Sequence, residues 1–121
     1  MTSASPAKQS TLVADAHRER EGGQDRKTVD VAVGILINEQ HQFLLTSRPA
    51  GKVYEGYWEF PGGKLEAGES VAQALSRELL EELGLAVAVD DVQLWKQQMV
   101  DYPHALVRLN FCKIFRWQGQ L

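Results

Sequence analysis

Four glutamates and one arginine stand at fixed intervals in the segment GKLEAGESVAQALSRELLEELGL, which runs from Gly63 to Leu85. They are Glu69, Arg77, Glu78, Glu81 and Glu82. Carboxylate oxygens are hard ligands that suit Mg²⁺, and this ion usually keeps waters and substrate phosphates in its coordination shell. The spacing therefore indicates a divalent-metal site that could act on a diphosphate.

A turn followed by one helix must position these acids. Ser70 and Gln73 form the capping-box pair S-x-x-Q, which marks a helix start. Gly84 stands where a left-handed C-terminal cap favours glycine. We therefore predict a single helix over residues 70–83. On this helix the glutamates at 78, 81 and 82 share one face, and we expect Leu79, Leu80 and Leu83 to face the core.

The acidic face of this helix is costly if it serves structure alone. Glu78 and Glu82 repel each other at i, i+4 by about 0.2–0.5 kcal/mol. Glu81 and Glu82 lie in the last turn, where the helix dipole costs about 0.3–1 kcal/mol per negative charge. Arg77 pairs with Glu81 at i, i+4 but cannot neutralise three acids, whereas a divalent cation can. A solvated acidic face is the alternative interpretation, and the register of the other motif residues argues against it.

Composition narrows the class of protein. The chain has 121 residues, 44% of them hydrophobic, which suits one small α/β domain with a real core. A net charge of −3 does not favour binding to a nucleic-acid polymer. The single Cys112 excludes an internal disulfide, and neither a signal-peptide core nor an apolar run of about 20 residues is present. We expect a cytoplasmic protein, a monomer or weak dimer, with a small-molecule nucleotide as its partner and no membrane.

The order of predicted elements is strands, helix, strands. Residues 1–27 are polar and charged and predict a flexible tail, and residues 28–121 predict one domain. The expected strands are VDVAVGILI (29–37) with FLLTS (43–47) as its hairpin partner, WEF (58–60), a short AVAV (86–89), and an antiparallel pair at 93–102 and 105–117. A tight turn is expected at Pro61-Gly62-Gly63. The predicted fold class is α/β (α+β) with a mixed sheet.

The motif resembles the box of a known enzyme family. Gly63 to Leu85 matches G-x5-E-x7-R-E-U-x-E-E-x-G-U, with U aliphatic, at every fixed position. With VAVGILI, TSRP, WEFPGG and DYPH around it, the chain resembles Nudix hydrolases of the MutT type, the 8-oxo-dGTP diphosphatases. The resemblance implies a Nudix α/β/α sandwich with a central mixed sheet and the box as a loop-helix-loop. It also implies cleavage of a nucleoside triphosphate to the monophosphate and pyrophosphate by attack of water at the β-phosphorus, with Mg²⁺ or Mn²⁺.

The same resemblance assigns the metal site. It implies that Glu78 and Glu82 are the principal metal ligands and that Glu81 supports the cluster. The Gly62 carbonyl is expected as a further ligand. Glu69 closes the loop onto the helix and is a candidate ligand of an outer metal. The general base is Glu78 if it lies within residues 1–121, with an acid further along the family pattern as the alternative.

Substrate contacts are also implied by the resemblance. Arg77 is expected to orient the glutamates through salt bridges, and Arg48 corresponds to a phosphate-contacting arginine. Three residues fall at positions that line the base pocket: Glu59, Phe60 and Tyr102.

The MutT pattern continues past residue 121 with a strand and a helix, which carry another acid and an asparagine that reads the purine edge. The apolar positions of the last predicted strand, Leu109, Phe111, Phe115 and Trp117, lack an obvious covering element. We therefore expect the natural protein to continue by roughly 20–40 residues.

Two alternative functions remain open at the level of sequence. The box reports on the metal and the diphosphate, so another nucleoside diphosphate derivative is an alternative substrate: another dNTP, ADP-ribose or a nucleotide sugar. A noncatalytic nucleotide-binding module is the second alternative. The intact set of acids argues against it, because a binding module has no need of all of them.

Overall fold

The computed structural model describes residues 27–47, 50–51, 56–103 and 105–120. Within them, four strands form a mixed sheet in the order β4-β1-β6-β5, and β2 and β3 form a separate two-stranded sheet. The elements are β1 (Thr28–Leu36), β2 (Thr46–Ser47), β3 (Trp58–Glu59), β4 (Gly62–Lys64), α1 (Val71–Leu83), β5 (Gln93–Asp101) and β6 (Leu106–Ile114), with a 3-10 turn at Val89–Asp91. The predicted tail lies outside the described residues except for Lys27.

Strand β1 is the centre of the sheet. It runs parallel to β6, from Thr28 opposite Leu106 to Leu36 opposite Ile114, and antiparallel to β4, where Val33 lies opposite Gly62. A strand covered on both faces reads as a nearly continuous apolar run, which explains the segment VDVAVGILI. The mixed sheet predicted from the element order is therefore present, and the antiparallel pairing of β5 with β6 is confirmed.

The predicted hairpin between β1 and residues 43–47 forms only next to its turn, where the Leu44 amide donates to the Leu36 carbonyl at 3.1 Å. One isolated bridge joins Ile37 to Phe43, and Thr46–Ser47 pairs with β3 instead. Over residues 31–33 both edges of β1 are occupied by β4 and β6, so the hairpin cannot extend further along the strand. A parallel neighbour distant in sequence gives no local signal, whereas a nearby apolar run does.

Two short segments also differ from expectation. Gly62 and Gly63, predicted in a tight turn, belong to β4. The predicted strand at 86–89 reduces to a single bridge between Ala86 and Gln118, followed by the 3-10 turn.

Helix α1 is capped as predicted. The Ser70 hydroxyl accepts a hydrogen bond from the Gln73 amide at 3.1 Å, and the Gln73 side chain accepts one from the Ser70 amide at 2.9 Å. Gly84 ends the helix in the left-handed conformation at φ 68°. Leu79 is fully buried, as expected, but Leu80 is 58% exposed, so its predicted core position is wrong. Leu80 lies at the edge of the apolar face of the helix and is exposed to solvent instead of packing on the sheet.

The core has two parts, one on each face of the sheet. The helix-facing part contains Ala32, Leu36, Ala74, Leu75, Leu79, Leu85, Val87, Cys112 and Ile114. The other contains Val31, Val33, Ile35, Ile37, Phe60, Ala105, Val107, Leu109 and Phe111. Leu109 and Phe111 are therefore buried, contrary to the expectation of an uncovered face, while Phe115 remains about half exposed.

A buried amide joins three strands on the helix-facing side. Asn110 of β6 is fully buried, and its Nδ2 donates to Asp30 Oδ1 and to the Val31 carbonyl, each at 3.1 Å. Its Oδ1 accepts from Gln97 Nε2 of β5 at 2.6 Å. Arg108 also pairs with Asp30 at 3.3 Å. Because buried polar groups must be hydrogen-bonded, this network favours one register of β1, β6 and β5. No helix in the described part of the chain is long and apolar enough to span a membrane.

Candidate active site

Arg77 is the hub of the acidic cluster. Its Nε and Nη2 donate to the two carboxylate oxygens of Glu69 at 2.7 and 2.9 Å. Its Nη1 donates to Glu78 at 3.1 Å and to Glu81 at 2.9 Å, the latter being the i, i+4 pair expected from the sequence. Its Nη2 also reaches the Lys64 carbonyl of β4 at 3.2 Å. One guanidinium thus ties the helix to the loop before it and to β4.

The bidentate pair of Glu69 with Arg77 is the strongest of these contacts. Fork-to-fork arginine–carboxylate pairs fix geometry as well as adding energy. The hydrogen bonds from Arg77 lower the pKa of Glu69 to about 2, helped by the Glu66 amide, which donates to Glu69 at 2.8 Å. The pKa of Arg77 rises above its ordinary value because of these hydrogen bonds, first that of Glu69. Glu69 therefore closes the loop onto the helix, while its role as an outer metal ligand stays a prediction.

Glu78 lies directly over Gly63. A Cβ on Gly63 would fall 2.5 Å from Oε2 and 2.6 Å from Cδ of the Glu78 carboxylate. Next to it, Gly62 has φ 152°, and any side chain there would overlap the Ala32 carbonyl oxygen. The two glycines are thus required by close approach, of a carboxylate in one case and of the β1 backbone in the other.

Glu82 turns its carboxyl group toward Glu78 and β4. Although the residue as a whole is solvent-exposed, its pKa is raised to about 8. The causes are the partial withdrawal of the carboxyl group from water, its hydrogen bond with Glu78, and the negative charges of Glu78 and Glu59; the Gly62 amide opposes them by donating a hydrogen bond. Arg77 pairs with Glu78, but within the described residues no cation pairs with Glu82.

Glu59 was predicted in the base pocket, and the structure places it near the acids. It is one of two buried polar residues of the described chain, at 7% exposure, and its charge acts on Glu82. Its backbone carbonyl accepts from the Thr46 hydroxyl at 3.5 Å, so the small β2–β3 sheet holds it. The cluster that surrounds β4 thus contains an acid from β3 as well as those from α1.

The donor set fits a hard divalent cation. Within the described residues, no three His, Cys, Asp or Glu side chains form a ready-made metal site. Mg²⁺ does not require one, because it is usually bound through one or two carboxylates together with waters and substrate phosphates. Glu78 and Glu82 are the candidates for these two carboxylates, because withdrawal from water and repulsion by Glu78 raise the pKa of Glu82 and a cation would offset both effects.

The other residues predicted to contact the substrate do not lie beside the carboxylates. The Phe60 side chain is buried in the core on the sheet face opposite α1, and Tyr102 packs, partly buried, against that same core. Both therefore border one region of the sheet, but neither is brought to the carboxylates. Arg48 lies outside the described residues.

Three contacts of the cluster were not anticipated from the sequence. Glu66 lies 3.6 Å from Arg77 Nη1, the Lys64 carbonyl accepts from Arg77, and Gly63 provides the space for Glu78. A carbonyl acceptor leaves no trace in the sequence. Glu66 can be seen in the sequence, but it does not stand at a fixed position of the motif, so nothing marked it as a partner of Arg77.

This cluster and its helix match a known domain family along most of the chain. The NUDIX domain model matches residues 27–117. The chain belongs to the Nudix hydrolase family. An 8-oxo-dGTP diphosphatase of Haemophilus influenzae is 38% identical over 96 residues, which cover 79% of this chain and 69% of that protein. Its counterpart in Escherichia coli is 36% identical over 94 residues, covering 78% and 71% respectively.

Solved structures agree on the fold of this Nudix chain. A MutT structure from work on Aliivibrio salmonicida and Vibrio cholerae is 38% identical, with a TM-score of 0.62, and covers 78% of this chain and 70% of that one. The Escherichia coli ORF135 protein is 33% identical, with a TM-score of 0.66; 78% of this chain matches 65% of it. The family and the MutT-like Nudix fold predicted from the box are confirmed. Nudix hydrolases generally depend on a divalent metal ion and act on small nucleotides.

Proposed function

We propose that this Nudix hydrolase is a Mg²⁺-dependent pyrophosphohydrolase that cleaves a nucleoside triphosphate to the monophosphate and pyrophosphate, with 8-oxo-dGTP as its preferred substrate. The observation that carries the proposal is the pair of carboxylates, Glu78 and Glu82, which face the Gly62–Gly63 backbone and of which Arg77 pairs with Glu78 alone. The names of the relatives from Haemophilus influenzae and Escherichia coli support the substrate. Oxidised dGTP would thereby be removed from the nucleotide pool.

In this proposal Glu78 and Glu82 hold the metal ion, with the Gly62 carbonyl as a backbone ligand. When bound, Mg²⁺ supplies charge that polarises phosphoryl oxygens and lowers the pKa of an attacking water. Glu78 is the candidate general base. Arg77 does not touch the substrate: it fixes the carboxylates of Glu78 and Glu81 from behind, and Glu69 fixes Arg77.

In this proposal four residues contact the substrate or border its site. Arg48 is the candidate phosphate contact. Phe60 and Tyr102 border the sheet face proposed to receive the base, and Glu59 is proposed at the boundary between base and metal site because its charge acts on Glu82.

A second candidate substrate is a cytidine nucleotide. The CTP pyrophosphohydrolase of Escherichia coli is 46% identical to this chain over 65 residues, a higher identity over a shorter stretch than the 8-oxo-dGTP diphosphatases reach. That stretch covers 54% of this chain and 47% of that protein. The chemistry at the diphosphate would be the same, and only the base would differ.

A substrate panel in Mg²⁺ tests both candidates. The enzyme is assayed with 8-oxo-dGTP, dGTP, CTP, dCTP and ADP-ribose, and kcat/KM is compared. A clear preference for 8-oxo-dGTP supports the first proposal, and a preference for CTP or dCTP supports the second. Preferred hydrolysis of ADP-ribose would contradict both.

The site of attack is tested separately by running the reaction in ¹⁸O-water. Attack at the β-phosphorus places the label in pyrophosphate. Label in the nucleoside monophosphate would mean attack at the α-phosphorus and would refute the proposed mechanism while leaving the substrate open.

A further inference from the structure

A cavity of about 520 Å³ lies beside α1, away from the carboxylate pair. Its walls include Ser76 and Leu80 of α1, Val87 and Asp91 from the segment after the helix, and Arg116 and Trp117 from the segment after β6. Pockets that bind small molecules have about 300–1,000 Å³ and combine apolar walls with a few polar groups. This cavity has both the size and the mixed lining.

The cavity is separate from the candidate active site. Ser76 and Leu80 are one turn apart on α1, and so are Glu78 and Glu82. The two pairs are offset by two residues, which at 3.6 residues per turn places them roughly 200° apart around the helix axis. A ligand in this cavity would therefore contact the flank of α1 opposite the acids.

The frame of the cavity is fixed by backbone contacts. The Ser76 hydroxyl donates to the Val87 carbonyl at 2.7 Å, which joins the helix to the segment that follows it. Ala86 and Gln118 exchange two backbone hydrogen bonds of 2.9 Å, which join that segment to the chain after β6. The walls are thus held in place before any ligand binds, and this lowers the entropic cost of binding.

Two opposite charges stand in the walls of this cavity. Asp91 and Arg116 both line it. Among the residues that the structure describes, neither side chain takes part in an ion pair or a hydrogen bond, with the other or with a third group. Leu80, Val87 and Trp117 add apolar surface to the same lining. The lining is therefore complementary to a molecule with a negative group, a positive group and an apolar body.

We propose that this cavity binds a free α-amino acid with an apolar side chain. Its carboxylate would pair with Arg116, because the guanidinium matches a carboxylate in a bidentate geometry. Its ammonium group would pair with Asp91, and its side chain would pack on Leu80, Val87 and Trp117. The proposal does not depend on the substrate of the hydrolase.

The test is a titration of the ¹⁵N-labelled full chain with L-phenylalanine, followed by ¹H–¹⁵N chemical shifts. We expect saturable shifts of the Val87 and Ala88 amides and the Trp117 indole, with those of Glu78 and Glu82 unchanged. N-acetyl-L-phenylalanine, which lacks the ammonium charge, and L-phenylalaninamide, which lacks the carboxylate, should each bind more weakly. Equal binding of all three compounds would overturn the proposal, because the charges would then have no role.

Variants complete the test. Asp91→Asn and Arg116→Gln should each weaken binding by about tenfold or more, which corresponds to loss of one charged contact. Asp90→Asn is the matched control, because Asp90 is adjacent in sequence but does not line the cavity. The proposal fails if Asp90→Asn weakens binding as much as Asp91→Asn. It also fails if L-phenylalanine, L-leucine and L-tryptophan all give no saturable shifts at millimolar concentration.

Discussion

Replacing Gly63 by alanine should move the carboxylate of Glu78, the proposed metal ligand, while leaving the fold intact. The new Cβ would lie 2.5 Å from Oε2 of Glu78, and ordinary contact begins at 3.4 Å. The carboxylate must therefore retreat by roughly 0.9 Å, and a displacement of about 1 Å at a reacting centre can cost about 100-fold in rate. We expect kcat/KM to fall by about two orders of magnitude, equivalent to ~2.7 kcal/mol of transition-state stabilisation.

Stability should respond in a different way. Glycine in a strand is less stable than alanine by about 0.5–1 kcal/mol because it loses more backbone freedom on folding. The Glu78 side chain can move aside, so Gly63→Ala should leave the melting temperature close to that of the wild type. Gly34→Ala is the matched control in β1, where a Cβ would meet the Leu75 and Leu36 side chains. It should lower the melting temperature and leave kcat/KM nearly unchanged.

A double-mutant cycle isolates the contact between these two residues. The assay is release of pyrophosphate from 8-oxo-dGTP or dGTP in Mg²⁺, measured for wild type, Gly63→Ala, Glu78→Ala and the double variant. In the Glu78→Ala background the carboxylate is absent, so adding Gly63→Ala should change kcat/KM very little. An equal loss in both backgrounds would refute the reasoning, and so would wild-type activity of the single variant.

Three further predictions follow from the same cluster. Excess EDTA should abolish turnover and Mg²⁺ or Mn²⁺ should restore it, because the proposed reaction needs a metal ion to polarise the phosphoryl oxygens and activate the water; full activity in EDTA would contradict this. Glu82→Gln should lower kcat by about 10²–10³. The pKa of Glu82 in the folded protein is about 8, above its ordinary value of 4.5. The native state therefore holds an extra proton between these two pH values, and the metal-free protein loses stability as the pH rises through that range. The substitution should therefore raise the metal-free melting temperature at pH 8 and change it little at pH 4.5, and an equal effect at both would contradict the pKa. Arg77→Lys keeps the charge but loses the bidentate pair with Glu69, so metal affinity measured by Mn²⁺ titration should fall by about 10–100-fold; unchanged affinity would show that Arg77 does not position the acids.

Local signals predicted the helix and its acids well. The capping pair Ser70 and Gln73 and the terminal Gly84 act within a few residues, so their spacing determines where α1 begins and ends. The relative positions of the acids on α1 follow directly from the roughly 3.6-residue period of an α-helix. The contact between Arg77 and Glu81 is predictable for the same reason.

Pairings over long distances were not predictable in this way. The partner of β1 is β6, about 78 residues further along the chain, as in the contact of Arg108 with Asp30. Hydrophobic periodicity reports that a strand is buried but not which strand lies beside it. The burial of Asn110 was equally hidden, because an amide is tolerated there only through partners supplied by two other strands.

The parallel pairing of β1 with β6 also constrains how the chain folds. Most contacts of β1 are with a strand that is synthesised long after it, and closing so large a loop is slow. While β6 is still inside the ribosome, β1 can pair with β4 alone, and its remaining edge stays open to wrong partners. We therefore expect β4 and the carboxylates that face it to become rigid only after residue 114 has emerged. Substitutions at Asn110, which joins these strands, should slow refolding more than substitutions in the capped helix.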